Sequence, residues 1–158
     1  MEPTLTDRRD EVATPQLAAW RALLEAHAAT TDVLARELRE ETGLPLAWYD
    51  VLLQLNEAPD RRLRMQELAH AVLLSKSGLT RLVDRMEQAG YVERSACPSD
   101  RRGTFAALTT LGRQRLREAA PTHLRGIQEH VGSLFDDDEA AVLERLLRRI
   151  ADAAGFDA

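Results

Sequence analysis

Cysteine and long apolar stretches are scarce in this chain of 158 residues, and each scarcity excludes a class of protein. The single cysteine, Cys97, cannot form an intramolecular disulfide and is typical of a reducing compartment. No segment approaches the roughly 18 to 20 consecutive apolar residues that a membrane-spanning helix requires. The N-terminal segment contains no apolar stretch of the kind found in secretory signals. We therefore expect a cytoplasmic protein.

Sequence motifs of catalysis and metal binding are also missing. The chain has no G-x-S-x-G turn, no phosphate-binding P-loop and no glycine-rich dinucleotide turn. Its histidines, at positions 27, 70, 123 and 130, lack the close spacing of a zinc site, although His27 and His130 could meet between helices. Packed, hydrogen-bonded histidines are the simpler interpretation. We expect no catalytic residue, no metal and no cofactor.

Lysine is almost absent, yet the basic residues that are present concentrate in one segment. The net charge of −5 argues by itself against a nucleic-acid partner. Residues 61 to 117, however, hold 12 arginine or lysine residues and 5 aspartate or glutamate residues, whereas the rest of the chain holds 9 basic and 21 acidic residues. The only lysine, Lys76, lies in the basic segment. Such segregation is typical of a DNA-binding surface on an otherwise acidic protein.

Residues 65–88 show the apolar spacing of two helices joined by a turn at 73–75. The 3.6-residue period predicts one buried face on each helix. In the first helix this face consists of Met65, Leu68, Ala69 and Val72. In the second helix, predicted from Lys76 to about Gln88, it consists of Leu79, Leu82, Val83 and Met86. The outer face of the second helix carries hydrogen-bonding side chains, namely Lys76, Ser77, Thr80, Arg81 and Asp84.

A β-hairpin is predicted directly after these helices. Gly90 ends the second helix, because a residue that tolerates positive φ closes a helix at little cost. Residues 91–94 and 104–108 have strand character, and the loop between them is expected to be tipped by Asp100, Arg101, Arg102 and Gly103. A helix sized for the major groove followed by an arginine-tipped hairpin, or wing, is suited to holding DNA. The predicted fold is mainly α with a small β-hairpin wing.

Three strings in this region carry a family resemblance. LTRLVDRMEQAGYVER at 79–94, DRRG at 100–103 and LTTLGR at 108–113 together resemble the MarR family of winged helix-turn-helix transcriptional regulators. The similarity extends over roughly residues 16 to 153. It implies a homodimer that binds a pseudo-palindromic operator, most often as a repressor, and that is often released from double-stranded DNA by a small ligand or an oxidant.

Amphipathic helices flank the winged segment. The first is predicted from Pro15 or Gln16 to Thr42, and its length suggests that a partner subunit covers its apolar seam, although it could also lie on its own domain. That seam consists of Leu17, Trp20, Leu24, His27, Thr31, Leu34 and Leu38. A shorter helix is predicted at 45–57, and its inward residues are Leu46, Tyr49, Leu52 and Leu53.

Two more helices are predicted after the wing. One is capped by Thr109 or Thr110 and continues to about Val131, with a kink or break expected near Pro121. Its apolar stripe consists of Leu116, Ala120, Leu124, Ile127 and Val131. The other begins at a capping box formed by Asp136 and Glu139. Its apolar residues are Leu143, Leu146, Leu147 and Ile150.

These elements divide the chain into four parts. We expect a flexible tail at 1–14, N-terminal dimerisation or support helices at 15–57, the winged helix-turn-helix at 58–110, and C-terminal dimerisation helices at 111–154.

The residues expected to contact DNA are Ser75, Lys76, Ser77, Thr80, Arg81, Arg101 and Arg102. Arg81 can reach guanine O6 and N7 with its forked guanidinium, and Arg102 suits a narrow minor groove. Asp100 and Arg102 resemble the family's acid–arginine pair, in which each side chain fixes the other. Before the first motif helix, Arg61, Arg62 and Arg64 could meet a phosphate or simply lie in a solvated loop.

An effector site is implied only by the resemblance, which places it between the dimerisation helices and the DNA-binding region. Its candidate residues are Trp20, His27, Trp48 and Tyr49, which could stack on a small aromatic or phenolic anion or be ordinary core residues. Cys97 is expected in an exposed wing loop, as an inert thiol rather than an oxidant sensor. The alternative functions are a winged-helix protein-interaction module and a ligand-binding dimer without DNA binding.

Overall fold

The computed structural model describes residues 14–72, 76–98 and 100–155, and only the backbone of residues 76 and 100–102. The longer helices are α1 Pro15–Thr42, α2 Leu46–Glu57, α3 Met65–Ala71, α4 Lys76–Gln88, α5 Thr110–His130 and α6 Asp137–Ala153. The strands are β1 Arg62–Arg64, β2 Val92–Cys97 and β3 Asp100–Leu108. None of the helices in these ranges combines the length and the apolar character that crossing a bilayer demands. The expected fold class, mainly helical with a small β wing, is confirmed.

The caps of α1 explain its predicted bounds. The Thr14 hydroxyl accepts a hydrogen bond from the Leu17 N–H at 3.2 Å, and Pro15 occupies the first turn, where its missing N–H costs nothing. At the other end Gly43 has a φ of +72°, and its N–H donates to the Arg39 carbonyl. The first thirteen residues of the predicted tail lie outside the described residues.

The small sheet has three antiparallel strands in the order β1-β3-β2, one more than the sequence predicted. Arg62 pairs with Ala107 and Arg64 with Phe105, so this segment, for which a solvated loop was one of two alternatives, is a strand. Their guanidinium groups lie 5.0 Å and 5.9 Å from the centre of the Phe105 ring. The strand was missed because only Leu63 of its three residues is apolar, while the two arginines beside it stack on Phe105.

The predicted wing loop was too long. Residues 100–103 belong to β3, and Asp100 is opposite Cys97 across the hairpin. Pro98, directly after β2, is in a turn, and position 99 is outside the described residues. The sequence did not predict this part of β3, because its charged residues lack the apolar alternation by which a strand is identified. Cys97 is correspondingly not an exposed loop thiol, since it ends β2 and is only 4% exposed.

The core forms where α2, α3, α4 and the sheet meet. Leu79, Leu82, Val83 and Met86 of α4 are all buried there, as predicted. Leu68 and Ala69 of α3 are buried as well, with Met65 and Val72 partly buried against them. In α2 all four predicted inward residues face the core: Tyr49 and Leu52 are buried, and Leu46 and Leu53 pack partly buried against it. Val51 and Leu55 are buried as well, although the sequence did not predict it, because neighbours surround this helix on a wide arc.

The helix α5 continues through Pro121 without a break. A proline removes only one backbone hydrogen bond, and packing of the helix on both sides of it can offset that loss. The face of α5 that contacts α1 includes the small and polar residues Thr122 and Gly126. Of the predicted apolar stripe, Leu116 is buried and Ala120 packs partly buried against the core. Gly126 lets the two helices approach closely, because a Cβ there would lie 2.8 Å from Leu34 Cδ2. Leu124 and Ile127 are exposed instead.

Polar contacts join α1 to α5 along the same face. Glu41 accepts hydrogen bonds from Thr122 at 3.1 Å and from Arg125 at 2.6 Å. The arginine hydrogen bond holds the pKa of Glu41 below its usual range. His130 Nε2 lies 2.7 Å from Glu37 Oε1, so this histidine pairs with a carboxylate of α1 and not with His27, which is exposed.

Candidate nucleic-acid interface

The helix α4 is held so that one long side is presented to solvent. Its four apolar residues anchor it in the core, and the 3.6-residue period then places Ser77, Thr80, Arg81 and Asp84 on the opposite side, where all four are exposed. Gly90, with a φ of +78°, turns the chain from the end of α4 into β2. The predicted outer face of the helix is thus confirmed for these four positions. Ser75 and the side chain of Lys76 lie outside the described residues.

Arg94 of β2 joins the helix α4 to the wing. Its Nη1 atom lies 2.7 Å from Asp84 Oδ1 and 2.8 Å from Glu87 Oε2, and its Nη2 atom donates to the Thr80 carbonyl at 3.1 Å. The side chain is only 22% exposed, so solvent screens these contacts incompletely. The network fixes α4 against the sheet, and the single positive charge of Arg94 offsets part of the negative charge of Asp84 and Glu87.

Sequence reasoning placed Asp84 on the outer face of this helix but did not identify Arg94 as its partner. No local spacing reveals this contact, since ten residues and the turn at Gly90 separate the two side chains. The hairpin must first fold back on α4 before they meet.

Arg81 occupies the middle of the exposed face. It lines a shallow depression of about 600 Å³ together with Gly78, Asp84 and Arg85. Its guanidinium makes no ion pair or hydrogen bond with any residue in the described ranges. Because Asp84 is already engaged by Arg94, the arginine remains available to an external acceptor. This arrangement suits hydrogen bonding to a base edge in a groove.

The basic residues of the wing are placed by their backbone alone. Arg101 and Arg102 lie at the start of β3, near the turn of the hairpin, and their side chains are outside the described part of the structure, as is that of Asp100. The acid–arginine pair at Asp100 and Arg102 therefore stays a prediction. So do the minor-groove contacts expected of both arginines.

The four candidate effector residues have different surroundings within one chain. Trp48 packs edge-on against Tyr91 with ring centres 5.8 Å apart, and Tyr49 packs against the His123 ring at 4.5 Å. Burial raises the pKa of Tyr49, and it lowers the pKa of His123. Trp20 is 51% exposed on α1, and His27, two turns further along the same face of the helix, is also exposed. Within one chain, the described ring contacts do not bring these four residues together.

Comparison with known proteins agrees with this geometry. A model of the MarR family matches residues 42–103, from the end of α1 into β3. The HTH-type transcriptional regulator MhqR of Bacillus subtilis is 30% identical over 128 residues, which cover 81% of this chain and 86% of MhqR. The HTH-type transcriptional repressor YetL of Bacillus subtilis is 31% identical over 105 residues, which cover 66% of this chain and 62% of YetL.

A solved structure extends the similarity to the fold. Sco3205, a MarR family transcriptional regulator from Streptomyces coelicolor crystallised in complex with DNA, is 37% identical with a TM-score of 0.83, and the match covers 89% of this chain and 92% of Sco3205. These relatives are transcriptional regulators rather than enzymes. Their similarity extends over the winged segment and the flanking helices alike, and the chain therefore belongs to the MarR family of transcriptional regulators.

Proposed function

We propose that this chain binds double-stranded DNA as a homodimer and represses transcription from a pseudo-palindromic operator. The observation that carries the proposal is the outer face of α4, where Arg81 has no partner among the described residues while the opposite face is buried in the core. A rigidly held helix with a hydrogen-bonding surface meets the requirement for reading bases in the major groove. The relative Sco3205 was crystallised with DNA, and YetL is named a repressor.

The remaining contacts have separate roles in this proposal. Ser75, Lys76, Ser77 and Thr80 would bind phosphates or base edges at the start of α4, and Arg101 and Arg102 would enter the minor groove from the wing. Asp100 would orient Arg102. Because DNA is the proposed partner, the cytoplasm is the proposed compartment.

The homodimer is supported by the apolar residues that one chain leaves exposed. The helix α6 buries none of its residues against its own chain, although its capping box at Asp136 and Glu139 forms as predicted and its apolar residues share one face. Those residues, Val142, Leu143, Leu146, Leu147 and Ile150, are all at least 36% exposed. Leu124 and Ile127 of α5 and Trp20 and Leu24 of α1 add to this surface. An apolar surface of this extent usually marks a subunit interface.

A small effector would bind where the dimerisation helices meet the DNA-binding region. Trp48 and Tyr49 lie on α2, next to Tyr91 of the wing and His123 of α5, so an aromatic or phenolic anion bound here would contact both parts of the molecule. Trp20 and His27 lie on the exposed part of α1 and would join the site only through the dimer. The effector class remains our proposal.

Replacing Arg81 by Ala tests this function. We expect Arg81→Ala to reduce discrimination between the operator and base-substituted operators by about 1–3 kcal/mol, because a bidentate contact to guanine is lost. Fluorescence anisotropy with DNA from upstream of the chain's own gene, measured over a series of salt concentrations, provides the readout. Arg39→Ala is the matched control, since Arg39 is an exposed arginine on α1. Equal discrimination by wild type and Arg81→Ala would refute the assignment of α4.

A further inference from the structure

We propose that a cleft at the base of the wing, between Arg61, Arg113 and Arg117, is a binding site for a small polyanion with phosphate or carboxylate groups. The cleft has a volume of about 370 Å³, within the range of small-molecule sites. Its polar lining is Arg61, Thr109, Thr110, Arg113, Gln114 and Arg117. The site is separate from the outer face of α4 and from the aromatic residues proposed for the effector.

The three arginines of this basic cleft have no acidic partner. None of them forms an ion pair or a side-chain hydrogen bond with a residue in the described ranges. Other arginines of the molecule do, since Arg94, Arg115 and Arg125 each contact a carboxylate within 3.1 Å. Three guanidinium groups without an acidic partner among the described residues therefore line one cleft, and a bound anion would offset their charge.

Two acids close to these arginines in sequence contact other residues. Glu118 accepts hydrogen bonds from Gln114 at 2.9 Å and from Arg115 at 3.1 Å, and it forms no ion pair with Arg117 in the described structure. Asp60 lies beside Arg61 in sequence, but its carboxylate is 3.9 Å from the guanidinium of Arg62. An incoming anion thus meets cations that internal carboxylates have not already neutralised.

The three cations line the same cleft, and their charges act on one another. The pKa of Arg113 is held below its usual range, chiefly by the charge of Arg117 and then by that of Arg61. Like charges four residues apart on a helix destabilise it, and an anion bound between them would remove that penalty.

The backbone positions this cluster. Asp60 and Arg61 have φ values of +54° and +52°, so the segment before β1 turns through the left-handed region to bring Arg61 towards α5. Thr109 caps α5, and its hydroxyl accepts a hydrogen bond from the Gly112 N–H at 3.0 Å. The N-terminal end of α5 therefore opens beside the arginines, where its dipole also favours an anion.

The location favours a small ligand over the operator backbone. At the base of the hairpin Leu108 pairs with Val92, and at its far end Asp100 pairs with Cys97. Eight residues of strand separate Leu108 from Asp100, a distance of about 26 Å at 3.3 Å per residue. If the far end of the hairpin enters a groove, the basic cleft at its base lies about 26 Å from that contact.

Isothermal titration of the full-length protein with inorganic pyrophosphate and with citrate, at ionic strength matched with potassium chloride, tests the site. We expect one of the two anions to bind at one site per chain, and the tighter of them identifies phosphate or carboxylate as the preferred group. Arg113→Gln/Arg117→Gln should weaken that binding about tenfold or more, because charge-assisted hydrogen bonds are lost. Arg39→Gln should leave it unchanged.

Two further measurements keep the result interpretable. The thermal midpoint of each variant establishes that it folds, and Arg113→Lys, which keeps the charge but loses the fork, should give an intermediate affinity. Operator affinity of the double variant should stay within about twofold of wild type, since few phosphate contacts would change. Failure of both anions to bind wild type, equal binding by the double variant, or a loss of operator affinity as large as that of Arg81→Ala would overturn the proposal.

Discussion

Two arginines of the proposed DNA-binding unit have opposite roles, and their surroundings explain the difference. Arg81 points from α4 into solvent without a described partner, whereas Arg94 is largely buried between α4 and β2 with two carboxylates and a backbone carbonyl around it. The first is suited to an external ligand. The second is suited to holding the surface in place.

Removal of Arg94 should therefore weaken both the fold and DNA binding. We expect Arg94→Met, which keeps the aliphatic stem, to lower the free energy of unfolding by about 1–3 kcal/mol, because Asp84 and Glu87 lose their shared cation. Urea denaturation measures the change, and anisotropy should show weaker operator binding. Arg36→Met removes an exposed i,i+4 pair with Asp32 and should cost less than about 0.5 kcal/mol. Similar losses in the two variants would contradict the role of Arg94.

Single residues also mark the limit of what the sequence predicts. Gly112, in the LTTLGR string, is required because a Cβ there would lie 2.1 Å from the Tyr91 carbonyl oxygen. The sequence shows a glycine at this position, but it does not show that the Tyr91 backbone lies against it. The same holds for Gly126 against Leu34 and for Asp84 with Arg94. Each depends on a contact between segments that are distant along the chain.

Elements with a regular apolar period were predictable, and elements built from charged residues were not. The bounds of α1 and α4 and the capping box of α6 follow from local rules of spacing and capping. The strand β1 and the outer half of β3 escaped prediction because their side chains are largely arginine. In the candidate interface, the outer face of α4 was predictable for the same reason as its buried face, since one period determines both.

The contact between α2 and α5 should make stability sensitive to acid. Burial lowers the pKa of His123 from the ordinary 6.5, so the folded chain resists protonation there while the unfolded chain accepts a proton. Below pH 6.5 this difference reduces the free energy of unfolding, by at most about 1.4 kcal/mol per pH unit, and above that pH it has no effect. Asp50 acts in the opposite sense, because burial raises its pKa and protonation relieves its charge.

His123→Phe isolates the histidine contribution. The substitution keeps a ring against Tyr49 and removes a buried Nδ1 atom that has no hydrogen-bond partner in the described structure. We expect equal or greater stability at pH 7 and a shallower loss between pH 6.5 and 5, measured by urea denaturation. His27→Phe, at an exposed position, should retain the wild-type pH dependence. An unchanged slope in His123→Phe would contradict the assignment.

At the scale of the whole molecule, the proposed function requires two chains. The apolar face of α6 is open in one chain, and a second copy would cover it while placing a second α4 at a fixed distance from the first. Leu143→Glu/Leu147→Glu should therefore produce monomers in sedimentation velocity experiments. Operator affinity should fall by about 100-fold or more, because the two half-sites are no longer linked.

A control on the same helix separates dimer loss from a general effect of charge. Arg145 belongs to the polar face of α6, and Arg145→Glu should leave the protein dimeric. If the leucine double variant sediments as a dimer, the proposed interface is wrong, whether or not the variant still binds DNA.

Hydroxyl-radical footprinting on DNA from upstream of the chain's own gene tests the central claim most directly, because it detects two recognition helices at a fixed separation. A two-fold dimer predicts two protected segments related by symmetry, centred about one helical turn or roughly 10 bp apart. Their protection should weaken on both halves in Arg81→Ala. A single protected segment, or no sequence-specific protection at about 0.15 M salt, would contradict the account.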